Sequence, residues 1–254
     1  IFIHKFNHRQ KNIFGDKLPY LDSLTIQFVS SLDHVLIKFL VGEIDIFGLR
    51  GGRFRGEDYF LLKPREAVEN FTILNIGYDF TISFLAFNRN ISVNPVTGLH
   101  YVDPIKSSWF RNKYFRKALA CTINQKELLE KTLRDFGTLG ISPLSPVSKK
   151  FYNPAVIKYP FSLEKAKEYL ALGGFALSEK GKALLDPNGN KVEFNLFTSP
   201  ERNLRRHTSI QLIQNLKKLG ITVHFNPPKQ GELVTILTKT YAWDTMIIGL
   251  TGEV

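Results

Sequence analysis

The feature that most constrains this chain is the alternation of strand and helix signals between Lys191 and Gly249. Lys191–Thr198 reads as a strand, introduced by the turn sequence Asp186-Pro187-Asn188-Gly189. Arg202–Leu219 reads as a helix with Ile210, Ile213, Leu216 and Leu219 along one face and Gly220 as its stop. Ile221–Phe225 is a second strand, Glu232–Thr240 a second helix and Trp243–Gly249 a third strand. Strands that alternate with helices pack as a sheet covered by helices, so the chain is assigned to the α/β class, with mixed sheets flanked by helices.

The first half carries the same grammar less regularly. Leu24–Val29 alternates and is rich in β-branched residues, which predicts a strand. Ser31 or Asp33 can cap a following helix that carries Leu36, Phe39 and Leu40 and stops at Gly42. Gly42–Ile46 is expected to return as a short strand, and Pro64 to open a helix over Lys63–Asn70. Phe71–Ile76 and Thr81–Phe87 are expected to pair, and Asn88–Pro104 to form a loop connecting two parts of the molecule. Asn112, Asn124 and Ser162 stand as N-caps for helices reaching Ala120, Arg134 and Gly173. The prolines between Gly140 and Pro160 predict an extended surface segment.

With 254 residues, the chain can bury a core without disulfides or metals. Lys and Arg number 34 against 23 Asp and Glu, a net charge of +11 that favours acidic partners. The cations are dispersed, densest around Arg50–Arg55, Arg111–Lys117 and Arg202–Arg206, and form no unbroken basic arm, so nucleic acid is not the expected partner. Ile1 and Val254 lie in or just beyond apolar runs, so the sequence is expected to be a central fragment of something longer.

No catalytic constellation stands out. The single cysteine, Cys121, shares an apolar stretch with Leu119 and Ile123 and is expected in the core. His4 and His8 lie in a segment that reads as extended and have no third ligand nearby, so no metal is expected. Gly48–Arg53 lacks the Gly-Lys-Ser/Thr ending of a phosphate loop. No enzymatic activity and no cofactor are expected. The aromatic complement of 21 Phe, 9 Tyr and 2 Trp supplies core and leaves rings for a ligand surface.

Several stretches, in order along nearly the whole chain, resemble the bacterial extracellular solute-binding family that serves oligopeptide, dipeptide and nickel ABC importers. They are Leu18-Pro19-Tyr20-Leu21-Asp22, Gly42-Glu43-Ile44-Asp45, Phe84-Leu85-Ala86-Phe87-Asn88 and Phe110–Leu119 continuing through Ile123–Leu128. Tyr152-Asn153-Pro154, Glu164-Lys165-Ala166 and Leu219-Gly220-Ile221 follow.

The resemblance implies a type II periplasmic-binding-protein-like architecture of two lobes, with residues 1–105 the middle part of an incomplete first lobe and 106–254 most of the second. It implies a substrate-binding component of a peptide ABC transporter, periplasmic or membrane-anchored outside the cytoplasm. Its partners would be an extended short peptide held between the lobes and an inner-membrane ABC permease, with the receptor itself a monomer. A nickel chelate or haem is the alternative ligand within the family, and nucleic acid a more distant one. The implied ligand-binding residues are Gly249, Leu250, Thr251 and Glu253, together with Phe87 and Asn88. Glu253 stands where the family's carboxylate meets the peptide amino terminus, and Leu250 replaces the family's tryptophan.

Overall fold

Strand β1 (Phe2–Lys5) pairs antiparallel with β2 (Ser23–Ile26), and Ser31 then caps α1 (Leu32–Leu40) by accepting the His34 N–H. In this computed structural model the described residues are 2–5, 11–18, 20–48, 54–78, 80–199, 203–229 and 231–251. The chain divides into two units, Ile1–Ile73 and Leu74–Val254.

In the first unit, α2 (Gly56–Leu62) is set by Asp58, whose buried carboxylate accepts the Arg55 backbone N–H at 2.8 Å and its guanidinium at 2.7 Å. Arg55 also reaches Asp33 of α1 at 2.8 Å, tying the two helices together. Hydrogen bonding to Asp58 raises the Arg55 pKa, so the guanidinium stays charged. This network places the helix upstream of the expected Lys63–Asn70, which forms turns instead; Pro64 sits just past the helix end, where its missing N–H costs nothing. Gly42–Ile46 is likewise a turn and irregular chain rather than a strand, because Gly42 adopts a φ of 74°. Strand β2 is shorter than the expected Leu24–Val29.

The second unit begins with β3 (Thr81–Phe87), followed by α3 (Pro104–Arg111), α4 (Lys113–Ala120) and α5 (Gln125–Lys131). Helix α3, not among the expected elements, begins on Pro104, the last residue of the expected loop; Asp103 caps it and Pro104 occupies its first turn. Asn112 and Asn124 cap α4 and α5 as expected, and α5 ends early because Arg134 and Asp135 turn the chain at φ 51° and 66°. A 3-10 turn (Pro146–Phe151) precedes α6 (Leu163–Leu172), capped by Ser162. The short hairpin of β4 (Ala176–Leu177) and β5 (Leu184–Leu185) leads to β6 (Glu193–Thr198), α7 (Asn203–Lys218) and β7 (Thr222–Phe225). Helix α8 (Glu232–Thr235) continues as a π-turn over Ile236–Thr240 into β8 (Thr245–Thr251).

Four strands form one sheet in the order β3-β8-β6-β7. β6 runs parallel to both β7 and β8, while β3 is antiparallel to β8. Phe71–Ile76 is therefore not the partner of Thr81–Phe87; that partner is β8, far along the sequence. The core lies on one face of the sheet. Phe110, Phe115 and Phe194 are fully buried, with ring centroids 5.8–6.3 Å apart, and Leu196, Leu212, Leu216 and Ile247 close around them.

Helix α7 buries Ser209, Leu212, Asn215 and Leu216, whereas Ile210 is exposed, so its inward face is rotated from the expected apolar stripe. The polar members are satisfied: the Ser209 hydroxyl donates to Arg205 O, and the Asn215 amide donates to Thr122 O at 2.9 Å. After α7, Gly220 has a φ of 79°, and a Cβ there would lie 2.8 Å from the Leu184 backbone nitrogen. Only glycine fits that turn.

Candidate functional site

β8 emerges from the core as it runs. Thr245, Met246 and Ile247 are buried, Ile248 and Gly249 half-buried, and Leu250 is 62% exposed. β3 pairs with it along its full length, from Phe87↔Thr245 to Thr81↔Thr251. β6 accompanies β8 only as far as Thr198↔Ile247. On that side, Ile248–Thr251 have no strand partner among the described residues, which leaves a short open sheet edge.

The register places Ile82 and Leu250 on one face, with Phe84 and Ile248 beside them, so the open edge is flanked by an apolar strip. Gly249 points to the other face. A Cβ there would stand 2.5 Å from Arg205 Nη2, 3.1 Å from Ile82 O and 3.3 Å from Ser83 Oγ. Glycine in a strand marks a close approach of another group, and here that group is a guanidinium from the first turns of α7. The arrangement offers backbone donors and acceptors, an apolar strip and a cation within one strand end. An extended chain can join such an edge as an added strand.

The other end of the β3–β8 pair holds Phe87 and Asn88, four to seven residues along the strand from Gly249–Thr251. At about 3.3 Å per residue these two groups are separated by roughly 13–23 Å. The structure thus brings Gly249, Leu250 and Thr251 together and leaves Phe87 and Asn88 apart from them. Phe87 packs on the core, its ring 5.7 Å from that of Phe110. Asn88 is 5% exposed, and its amide donates to Tyr241 O at 3.0 Å and Trp243 O at 2.8 Å. Its backbone N–H donates to Asp244 O at 2.9 Å, and its side-chain oxygen accepts from Asn90 N. Glu253 and the Gly48–Arg53 segment beyond Gly48 lie outside the described residues.

Beneath Asn88, Asp244 Oδ2 accepts from Lys106 Nζ at 2.7 Å, Asn195 N at 2.8 Å and Asn195 Nδ2 at 2.9 Å. This node joins α3, β6 and the start of β8 and fixes where β8 sets out. Sequence reasoning missed Arg205 as a site residue and missed this node. The glycine inside a strand pattern was the one available signal for Arg205.

Cys121 is buried, and burial pushes its thiol pKa up, which removes thiolate character. No group of three His, Cys, Asp or Glu able to hold a metal occurs among the described residues. In the first unit, a cavity of about 400 Å³ is lined by Phe39, Leu40, Ile44, Asp45, Glu69 and Phe71, among others.

Residues 7–252 match the family model described as "Bacterial extracellular solute-binding proteins, family 5 Middle". The chain is 28% identical to a probable ABC transporter-binding protein of Deinococcus radiodurans over 253 residues, which is 97% of this chain and 41% of that protein. Its fold is similar to that of the oligopeptide-binding protein AppA of Bacillus subtilis in complex with a nonapeptide. The TM-score is 0.69 at 23% identity, covering 91% of this chain and 41% of the other. NikA of Brucella suis in complex with Fe(III)-EDTA gives a TM-score of 0.70 at 15% identity, covering 94% and 43%. The chain thus spans about two fifths of the length of these relatives. Its mixed α/β fold is that of the type II periplasmic binding proteins over the part they share. The family match over nearly the whole chain, with the fold likeness beside it, establishes that the chain belongs to the bacterial extracellular solute-binding proteins of family 5.

Proposed function

We propose that this chain supplies part of the ligand-holding surface of an ABC-importer receptor for short extended peptides. The observation that carries the reading is the open edge of β8 at Ile248–Thr251, flanked by β3 on one side and without a strand on the other among the described residues. Backbone pairing along such an edge is indifferent to peptide sequence, and the half-exposed apolar strip tolerates varied side chains. Relatives in this family are transport binding proteins.

Residues 1–105 are read as the middle of one lobe and 106–254 as most of the other. Gly249, Leu250 and Thr251 contact the peptide backbone in this reading, with Glu253 at its amino terminus. Phe87 and Asn88 support the site by holding the far end of the same strand pair. The receptor acts as a monomer outside the cytoplasm, delivering peptide to a membrane permease.

Isothermal titration calorimetry with short peptides of unrelated sequence tests this directly. Heat released by several of them, with little dependence on side chains, is the expected result. Silence with peptides but heat with a nickel–histidine chelate or haem would reassign the ligand. Binding to nucleic acid that weakens steeply with salt would point to the distant alternative.

A further inference from the structure

The stretch from Phe136 to Leu163 contains no aspartate or glutamate. It carries Lys149, Lys150 and Lys158, all exposed. Between these lysines stand large apolar side chains turned to solvent: Phe151 is 69% exposed and Ile157 77%, with Phe161 at 40% close behind. Lys150 Nζ lies 5.1 Å from the centre of the Phe151 ring. Lys149 sits at φ 43°, ψ −104°, a conformation that costs a residue bearing a Cβ and that strained functional segments tend to hold.

The segment is anchored rather than free. Ser162 N donates to Cys121 O at 3.0 Å, and the Tyr159 ring packs 6.3 Å from Tyr169 of α6. Lys117 of α4 lies over the rings of Tyr114, Tyr159 and Tyr169 at 5.5–5.9 Å, and Lys113 over Tyr114 at 5.0 Å. Two more cations and the half-buried Tyr114 and Tyr169 thus border the segment, with the half-buried Tyr159 within it. The nearest acids on α6 are engaged elsewhere: Glu164 with Ser162 Oγ and Glu168 with Lys165.

We infer that Pro146–Phe161, with Lys113 and Lys117 beside it, is a docking surface for an anionic phospholipid bilayer. Exposed aromatic and aliphatic groups interleaved with acid-free lysines suit the headgroup boundary, where apolar side chains enter and ammonium groups meet lipid phosphates. Tyrosine favours the same zone because its ring is apolar and its hydroxyl polar. Charge complementarity selects anionic over zwitterionic lipid. The surface goes beyond the peptide reading and does not depend on it, since no residue of the β8 edge takes part.

Flotation of the 254-residue chain with vesicles of phosphatidylcholine alone, or mixed with phosphatidylglycerol, tests the inference. The chain is expected to float with the mixed vesicles and not with phosphatidylcholine alone, and to be released by salt. Replacing Lys149, Lys150 and Lys158 together by Gln lowers the partition constant about a hundredfold, at roughly fivefold per lysine. Phe151→Ser with Ile157→Ser keeps the charge and lowers it roughly tenfold or more. Lys180→Gln with Lys182→Gln, exposed in the β4–β5 connection, leaves binding unchanged. Equal binding to both vesicle types, no binding to either, or an equal loss in the Lys180/Lys182 control would each overturn the inference. Peptide calorimetry on the same variants separates this outcome from failure of the receptor reading.

Discussion

Gly249 and Arg205 meet where a side chain has no room: a Cβ on the glycine would stand 2.5 Å from the guanidinium Nη2. The glycine thereby lets a cation from α7 lie against the end of β8 that carries the open edge. Gly249→Ala pushes the flexible end of Arg205 aside, at a stability cost below about 1 kcal/mol because a strand also gains from losing a glycine. Peptide affinity should fall several-fold in calorimetry while the thermal midpoint barely moves. An unchanged affinity would remove Gly249 from the site.

Asn88 spends its amide on the carbonyls of Tyr241 and Trp243, and Tyr241 holds a φ of 53°. Asn88→Ala leaves two carbonyls without their donor and releases that turn. A loss of about 2–3 kcal/mol is expected, read from the shift of a urea unfolding curve. A ligand-contacting asparagine would instead lower affinity and spare the unfolding midpoint.

Asp244 gathers three donors on one oxygen, Lys106 among them, with little exposure on either side of the pair. Asp244→Ala strands the Lys106 ammonium and the Asn195 donors, at about 3 kcal/mol. Lys106→Met costs less, because Asn195 still satisfies the carboxylate. Chemical denaturation of the two variants and the double variant should show the losses to be strongly non-additive.

Asp186 accepts from Trp109 Nε1 at 2.8 Å and from the backbone of Asn188 and Asn190. Burial alone would raise its pKa, but the hydrogen bonds from Asn190, Trp109 and Asn188 together outweigh it, and the net shift is downward. A carboxylate whose folded pKa is depressed stabilises the fold above its ordinary value of 3.8 and loses that contribution as pH falls through the folded value. Thermal midpoints measured from neutral pH into this acid range should fall more steeply for the parent than for Asp186→Asn, which has no such proton to take up.

The two units differ in how much they bury. Leu36 and Leu62 are the buried hydrophobic residues among the described part of 1–73, while the second unit holds a large contiguous core. Amides of α1 should therefore exchange with solvent well before those of β6 and β8. Equal protection in the two units, measured by hydrogen exchange with mass spectrometry, would contradict this.

Much of the second unit was legible from local rules. Asn112, Asn124 and Ser162 cap helices because their side chains accept the backbone N–H groups that a helix start leaves open. The β6–α7–β7–α8–β8 alternation follows from apolar spacing and from Gly220, whose positive φ ends α7. In the first unit the same rules failed where a side-chain network decided. Asp58 and Arg55 fix a helix at Gly56–Leu62, and the pull of Pro64 toward a later start was outweighed.

The candidate site divides along the same line. The sequence by itself determined the α/β class, the family motifs and the glycine within the last strand, since each rests on residues near one another in the chain. Only the tertiary structure decided that β3 pairs with β8 rather than with Phe71–Ile76, because sheet register depends on contacts between distant segments. That pairing separates Phe87 and Asn88 from Gly249–Thr251, the end of β6 at Thr198 opens the other edge of β8 beyond Ile247, and α7 brings Arg205 to Gly249. No local pattern encodes where β6 stops against β8, and that stopping point is what leaves Ile248–Thr251 without a strand on that side among the described residues.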